Sequence, residues 1–220
     1  MLFRSSRPAR RQAGEVEDLL ALVPQRSKPV LFHGAVLAIV AVFMFSGTLF
    51  GVNDVTAVAF ATEMGRKSAA GVVLAAWAVG SLMAALVYGS RSWGWPLWKQ
   101  LLTGVVVMAV GSSTFVLAPN LLVLSALMVL TGMAIAPTVT AGNSIVQVTV
   151  APSQLTEGLA WIGTALNIGV SLGSMAGGRV IDAAGSHGGY LLMALCGWLA
   201  VLAALVGLRT IRRAHTRHTL

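Results

Sequence analysis

Six stretches of this sequence are almost pure hydrocarbon: 34–61, 69–88, 101–118, 121–148, 155–181 and 189–208. Short polar connections separate them. Each is long enough, or nearly so, to cross a bilayer core of about 30 Å as a helix. Runs this long without strict alternation are not barrel strands. In lipid every backbone N–H and C=O must be bonded internally, so helices remain. Composition agrees. Of 220 residues 56% are apolar and only 10% are charged, against about 25% charged in a soluble domain. The sequence therefore predicts an all-α membrane protein of six transmembrane helices.

The formal net charge of +8 is not the footprint of a nucleic-acid binder, because it lies at the chain ends and in one loop. Arg4, Arg7, Arg10, Arg11, Arg26, Lys28, Arg91, Lys99, Arg209, Arg212, Arg213 and Arg217 fall on one side of six spans. Only Arg66, Lys67 and Arg179 fall on the other. The excess of Lys and Arg on cytoplasmic loops then places both termini in the cytoplasm. Trp93, Trp95, Trp98 and Tyr88 sit in a cytoplasmic loop, as interfacial anchors do. The expected layout is a basic flank over 1–29, with a short amphipathic helix in "EVEDLLALV", a membrane domain over 30–209 and a basic tail over 210–220. The first apolar run is too long for a signal-peptide core. The lone Cys196 excludes a disulfide framework or cysteine zinc site within one chain, and no cofactor or metal is expected.

Polar residues inside these runs carry the functional signal. In the fifth, Thr164, Asn167, Ser171, Ser174 and Gly178 recur at spacings of three and four and share one helix face. Gly169, Gly173 and Gly177 lie roughly opposite, in a small-xxx-small series that lets another backbone approach closely. The stripe either lines a wet cavity or is satisfied by bonds back to its own helix and one neighbour. The fourth run repeats the pattern with Thr140, Asn143 and Gln147. The first holds Ser46 and Asn53, with Asp54 beside them in "GTLFGVNDVTAVAF". No Lys or Arg lies within the first run to pair with Asp54. An ionised Asp in a span is costly, so Asp54 is expected to face water, be protonated or meet a partner. It is the candidate for proton coupling, with a wet residue near the outer mouth as the alternative. Phe43, Phe45, Phe50 and Phe60 surround this region as substrate contacts or as plain core.

Gly47, Gly51 and Pro137 mark places where the long first and fourth helices are expected to bend. Glu157 is expected in the first turn of the fifth helix, where the dipole favours an acid, with Ser153 or Thr156 as cap. Arg179 and Asp182 are spaced to pair across one turn.

The stretch "APSQLTEGLAWIGTALNIGVSLGSMAGGRVIDAAG", residues 151–185, is similar to the eleventh helix of bacterial drug and sugar efflux members of the major facilitator superfamily. Gly178, Asp182 and Gly185 fit the G-x-x-x-D-x-x-G part of that superfamily's loop motif, without the basic residues that follow it. The loop after the second helix keeps Gly89 and Arg91 but has no Asp. Gly-Ser at 80–81 and at 173–174 hints at a 3+3 internal repeat. From basic flank to basic tail the chain resembles the C-terminal six-helix half of such a transporter.

The resemblance implies alternating-access, proton-driven export of a small molecule across the plasma (inner) membrane. It implies that the first and fourth helices, bearing Asp54 and Asn143, line the cavity. A full member places substrate between two halves, so a second six-helix half is an implied partner. That half is a separate chain, a missing N-terminal half, or a second copy of this one. The alternatives are a non-transporting membrane partner or permease subunit, and an intramembrane enzyme. No G-x-S-G serine, mid-helix histidine, H-E-x-x-H or phosphate loop supports the enzyme.

Overall fold

A computed structural model describes residues 33–91 and 93–216. The flank over 1–29 and its expected surface helix lie outside them. The described residues form helices α1 (Gly34–Glu63), α2 (Ala70–Gly89), α3 (Leu97–Thr114), α4 (Leu121–Gly132), α5 (Ile135–Thr149) and α6 (Leu155–Thr216), joined by short turns and 3-10 segments, with no strand. Five helical runs are long and apolar enough to cross a membrane. The fourth joins α4 to α5, and the fifth is the 59-residue run Pro152–Thr210.

That last run is not one straight rod. Gly185 has φ 67° and ψ −170°, a conformation essentially reserved for glycine. The chain reverses there. Along α1, Met44, Thr48 and Val52 approach Gly169, Gly173 and Gly177 in turn, so 155–184 runs parallel to α1. Ser186, Gly189, Gly197 and Thr210 meet Glu63, Thr56, Leu49 and Gly34, so 186–216 runs antiparallel to it. Where the sequence predicts a polar connection over 182–188, a single glycine makes the turn. The second arm also continues as helix through 210–216, past the expected start of the tail.

Pro137 acts as expected. It has no N–H, and its ring crowds the carbonyl four residues earlier. The helical run breaks between α4 and α5, one turn before it. Gly47 and Gly51 do not interrupt α1. Their missing side chains serve contact: a Cβ on Gly51 would fall 2.8 Å from the Ser174 backbone nitrogen, and one on Gly47 would fall 2.9 Å from the Leu166 carbonyl carbon.

The interior has two apolar clusters. One joins Val36, Ile39 and Phe43 of α1 to Leu101 and Val105 of α3, Ile145 of α5 and Ala200 of α6. The other gathers Leu49, Trp77, Met108, Phe115, Met128 and Tyr190. The outside is also apolar. Val72, Leu82, Leu86, Leu117, Leu122 and Val206 are each at least 60% exposed, an arrangement suited to lipid rather than water.

The ends of the bundle differ in charge. At the end holding Gly34 and Thr210, the Arg212 guanidinium lies 4.9 Å from the Trp98 ring centroid, and Arg91 and Lys99 lie over Trp93 and Trp98. At the opposite end Glu63 accepts hydrogen bonds from the Ser186 N–H, at 2.7 Å, and from the Ser186 hydroxyl. An acid thus occupies the positive end of the helix that starts after Gly185.

Candidate functional site

The glycine series of α6 packs on α1. A Cβ on Gly169 would fall 2.9 Å from the Thr48 nitrogen. One on Gly173 would fall 2.9 Å from the Thr48 Cα, and one on Gly177 would fall 3.3 Å from the Val52 Cα. With that face covered, the opposite face is open. Thr164, Asn167 and Ser171 are exposed and line a shallow groove of about 680 Å³ with Ala160, Gly163, Ile168 and Leu172. A Cβ on Gly163 or Gly178 would meet nothing within 4 Å, so the open face continues along the helix.

The donors of this stripe turn inward. Asn167 Nδ2 donates to the Gly163 carbonyl at 2.8 Å, and the Ser171 hydroxyl donates to the Asn167 carbonyl at 3.0 Å. These bonds use the donors and leave the Asn167 side-chain Oδ1 and the Ser171 hydroxyl lone pairs of this exposed face as acceptors. Such a face offers uncharged acceptors rather than an electrostatic trap. Ser174 leaves the stripe: it is half-buried, and its hydroxyl donates to the Gly51 carbonyl at 3.2 Å. It is a contact between α6 and α1, not an open lining residue.

On α5, Thr140 and Gln147 are exposed and Asn143 is half-buried. On α1 the expected trio separates. Asp54 is exposed, but Ser46 and Asn53 are buried. Asp54 follows Phe50 by four residues and Gly51 by three, so it lies within about 60° of each around the axis. Gly51 touches α6, and the Phe50 ring meets Trp77 of α2 edge-on at 5.3 Å. Asp54 thus projects from the strip of α1 between those neighbours. Asn53 turns into the core, and neither end of its amide finds a hydrogen-bond partner among the described residues. Ser46 borders a small cavity where α1, α5 and α6 meet, lined also by Phe43, Thr138, Val139 and Leu166. The three helices carrying the polar series are therefore mutual neighbours, although no hydrogen bond or ion pair joins Asp54 to the other two.

The phenylalanines are core. Phe43 lies against Gly142, Phe60 meets Tyr190 edge-on, and Phe45 packs on the first cluster. Glu157 sits in the first turn of α6, behind the 3-10 turn Pro152–Gln154 and without the expected Ser153 or Thr156 side-chain cap. Arg179 and Asp182 are both exposed, and among the described residues no ion pair joins them; between exposed groups water competes for both. Glu63, which the sequence reading passes over, is the polar anchor between α1 and the second arm. Its only signal in the sequence is an acid at the very end of an apolar run.

Two helix contacts share one register. Between α1 and α6, Gly51 meets Val170 and Gly173 meets Thr48. Between α2 and α4, Gly132 meets Trp77 and Gly80 meets Val129. In both contacts each glycine stands three residues after the residue its opposite glycine touches. In addition, Gly189 of α6 rests on Thr56 of α1, as Gly104 and Gly111 of α3 rest on Thr138 of α5 and Thr131 of α4.

No protein-family model matches the chain, and no curated protein sequence matches it.

Proposed function

We propose that this chain is one six-helix half of an alternating-access secondary transporter of the major facilitator type, and that it works with a second six-helix half. In this reading α4 and α5 form one span and the arms of α6 form two. The observation that carries it is the doubled glycine contact. Under a 3+3 repeat the second and fifth spans correspond, as do the first and fourth. Gly80 then corresponds to Gly173 and Gly132 to Gly51, and in each contact a glycine touches the residue three before the glycine opposite it. The threonine contacts join corresponding spans, the sixth to the first and the third to the fourth. Inverted repeats with the substrate site at an interface between units are a recurrent transporter architecture.

The open face of α6 supports the second part. Its acceptors, the exposed Thr140 and Gln147 and the half-buried Asn143 of α5, and Asp54 of α1 form the polar wall of the substrate path. The second half supplies the facing wall. The cargo is a small molecule and the coupling ion is a proton taken up by Asp54. The basic end of the bundle faces the cytoplasm of a cell whose plasma membrane holds the protein.

The test is transport in proteoliposomes. The chain alone is expected to be inactive, and co-assembly with a complementary six-helix half is expected to restore proton-driven flux. Asp54→Asn is expected to lower that flux by about tenfold or more, since an intramembrane carboxyl is the proton relay, while leaving exchange of cargo down its own gradient. Full proton-driven flux in the variant contradicts the coupling role.

A further inference from the structure

A second cavity lies away from the polar face. It is a cleft of about 310 Å³ between α2, α3 and the α4–α5 break, lined almost entirely by apolar atoms. The break before Pro137 makes room for it. Its walls are open to the outside of the bundle: Val87 is 58% exposed and Leu130 is 63% exposed. A cleft that is open where lipid surrounds the bundle is filled from the lipid.

Its mouth is different. Tyr88 donates to Gln100, whose Nε2 donates to the Trp95 carbonyl at 2.6 Å, and Trp93 Nε1 donates to the Tyr88 carbonyl at 3.2 Å. This network fixes the Trp93 ring and the Trp95 backbone at the rim, a mouth of the kind in which amphipathic rings sit at headgroups. Tyr88 and Trp93 stack at 5.5 Å, and the Arg91 guanidinium lies 6.0 Å from the Trp93 centroid. Among the described residues Trp95 bonds through its carbonyl, and no partner meets its indole N–H. No acidic residue lies in the α2–α3 loop or in α3 to neutralise Arg91.

We propose that this cleft is a binding site for one anionic phospholipid. An acyl chain lies against Val87, Val107 and Leu130, and the phosphate is held at the mouth by Arg91 and the Trp95 N–H. Charge complementarity and the fixed aromatic rim select an anionic lipid over a zwitterionic one. The proposal rests on the bundle spanning a membrane and not on transport.

Native mass spectrometry of the full chain in mild detergent tests it, with dioleoyl phosphatidylglycerol and dioleoyl phosphatidylcholine as probes. One phosphatidylglycerol per chain is expected to be retained in preference to phosphatidylcholine. Arg91→Ala is expected to lower its affinity by about fivefold, the worth of one basic residue near an anionic lipid surface. Thr103→Trp fills the cleft and is expected to remove the bound lipid. Val107→Trp serves as a second filling variant if the first does not fold. Leu122→Trp, about two turns away on α4, is expected to change nothing. Equal retention of both lipids, or retention unchanged in the filled variants, overturns the proposal.

Discussion

Gly51→Val is expected to leave little folded protein. The added Cβ would fall within the contact radius of the Val170 carbonyl and 2.8 Å from the Ser174 nitrogen, both backbone atoms that cannot rotate away. The arm 155–184 would have to move off α1. That motion would also break the Ser174 bond to the Gly51 carbonyl and open the Gly169–Gly173–Gly177 seam. Overpacking a core costs about 1–3 kcal/mol where side chains can yield, and here they cannot. The loss is therefore expected to exceed about 3 kcal/mol, a large share of a typical stability of about 5–15 kcal/mol. Gly173→Val is expected to behave alike. Gly178→Ala is the control: its Cβ would meet nothing within 4 Å, so only helix propensity changes, by about 0.5–1 kcal/mol in favour of Ala. Thermal unfolding in detergent, followed by circular dichroism, reads all three. Equal stability of Gly51→Val and the parent chain contradicts the close contact.

The second large effect has the opposite sign. Asn53→Leu is expected to stabilise the bundle by about 1–3 kcal/mol, the cost of burying an amide without a partner. Asn53 is fully buried, and neither its Nδ2 nor its Oδ1 is bonded among the described residues. Leu keeps the γ-branched outline of Asn but is the larger side chain, so the gain is reduced by whatever repacking it needs. The same denaturation experiment reads the change. A fall in stability means that the Asn53 amide is hydrogen-bonded in the folded protein, so that its polarity is used and not merely tolerated.

These two residues show what a sequence can and cannot tell. The glycine stripe was readable because small residues four apart define a seam whatever they meet. Pro137 was readable because its missing N–H breaks a helix locally. Residues on the α6 stripe could be assigned to one face by angle, but angle does not say how far the neighbouring helix wraps. Hence Ser174, on the edge of the stripe, bonds α1, while Ser171, three residues earlier, stays open. Ser46 and Asn53 were separated from Asp54 for the same reason: adjacent positions on α1 point to different neighbours. The bond between Glu63 and Ser186 joins residues 123 apart, beyond any local pattern. The one-residue reversal was hidden too, because the polar run around Gly185 reads equally well as a longer loop.

In the proposed reading the reversal at Gly185 makes the number of crossings even, so the most direct measurement is topology. Reporter fusions at the two ends of the full chain, scored in intact cells, locate each end relative to the membrane. Six crossings predict both ends on one side, and the Lys and Arg bias predicts that side to be the cytoplasm. Ends on opposite sides mean an odd number of crossings and contradict the account.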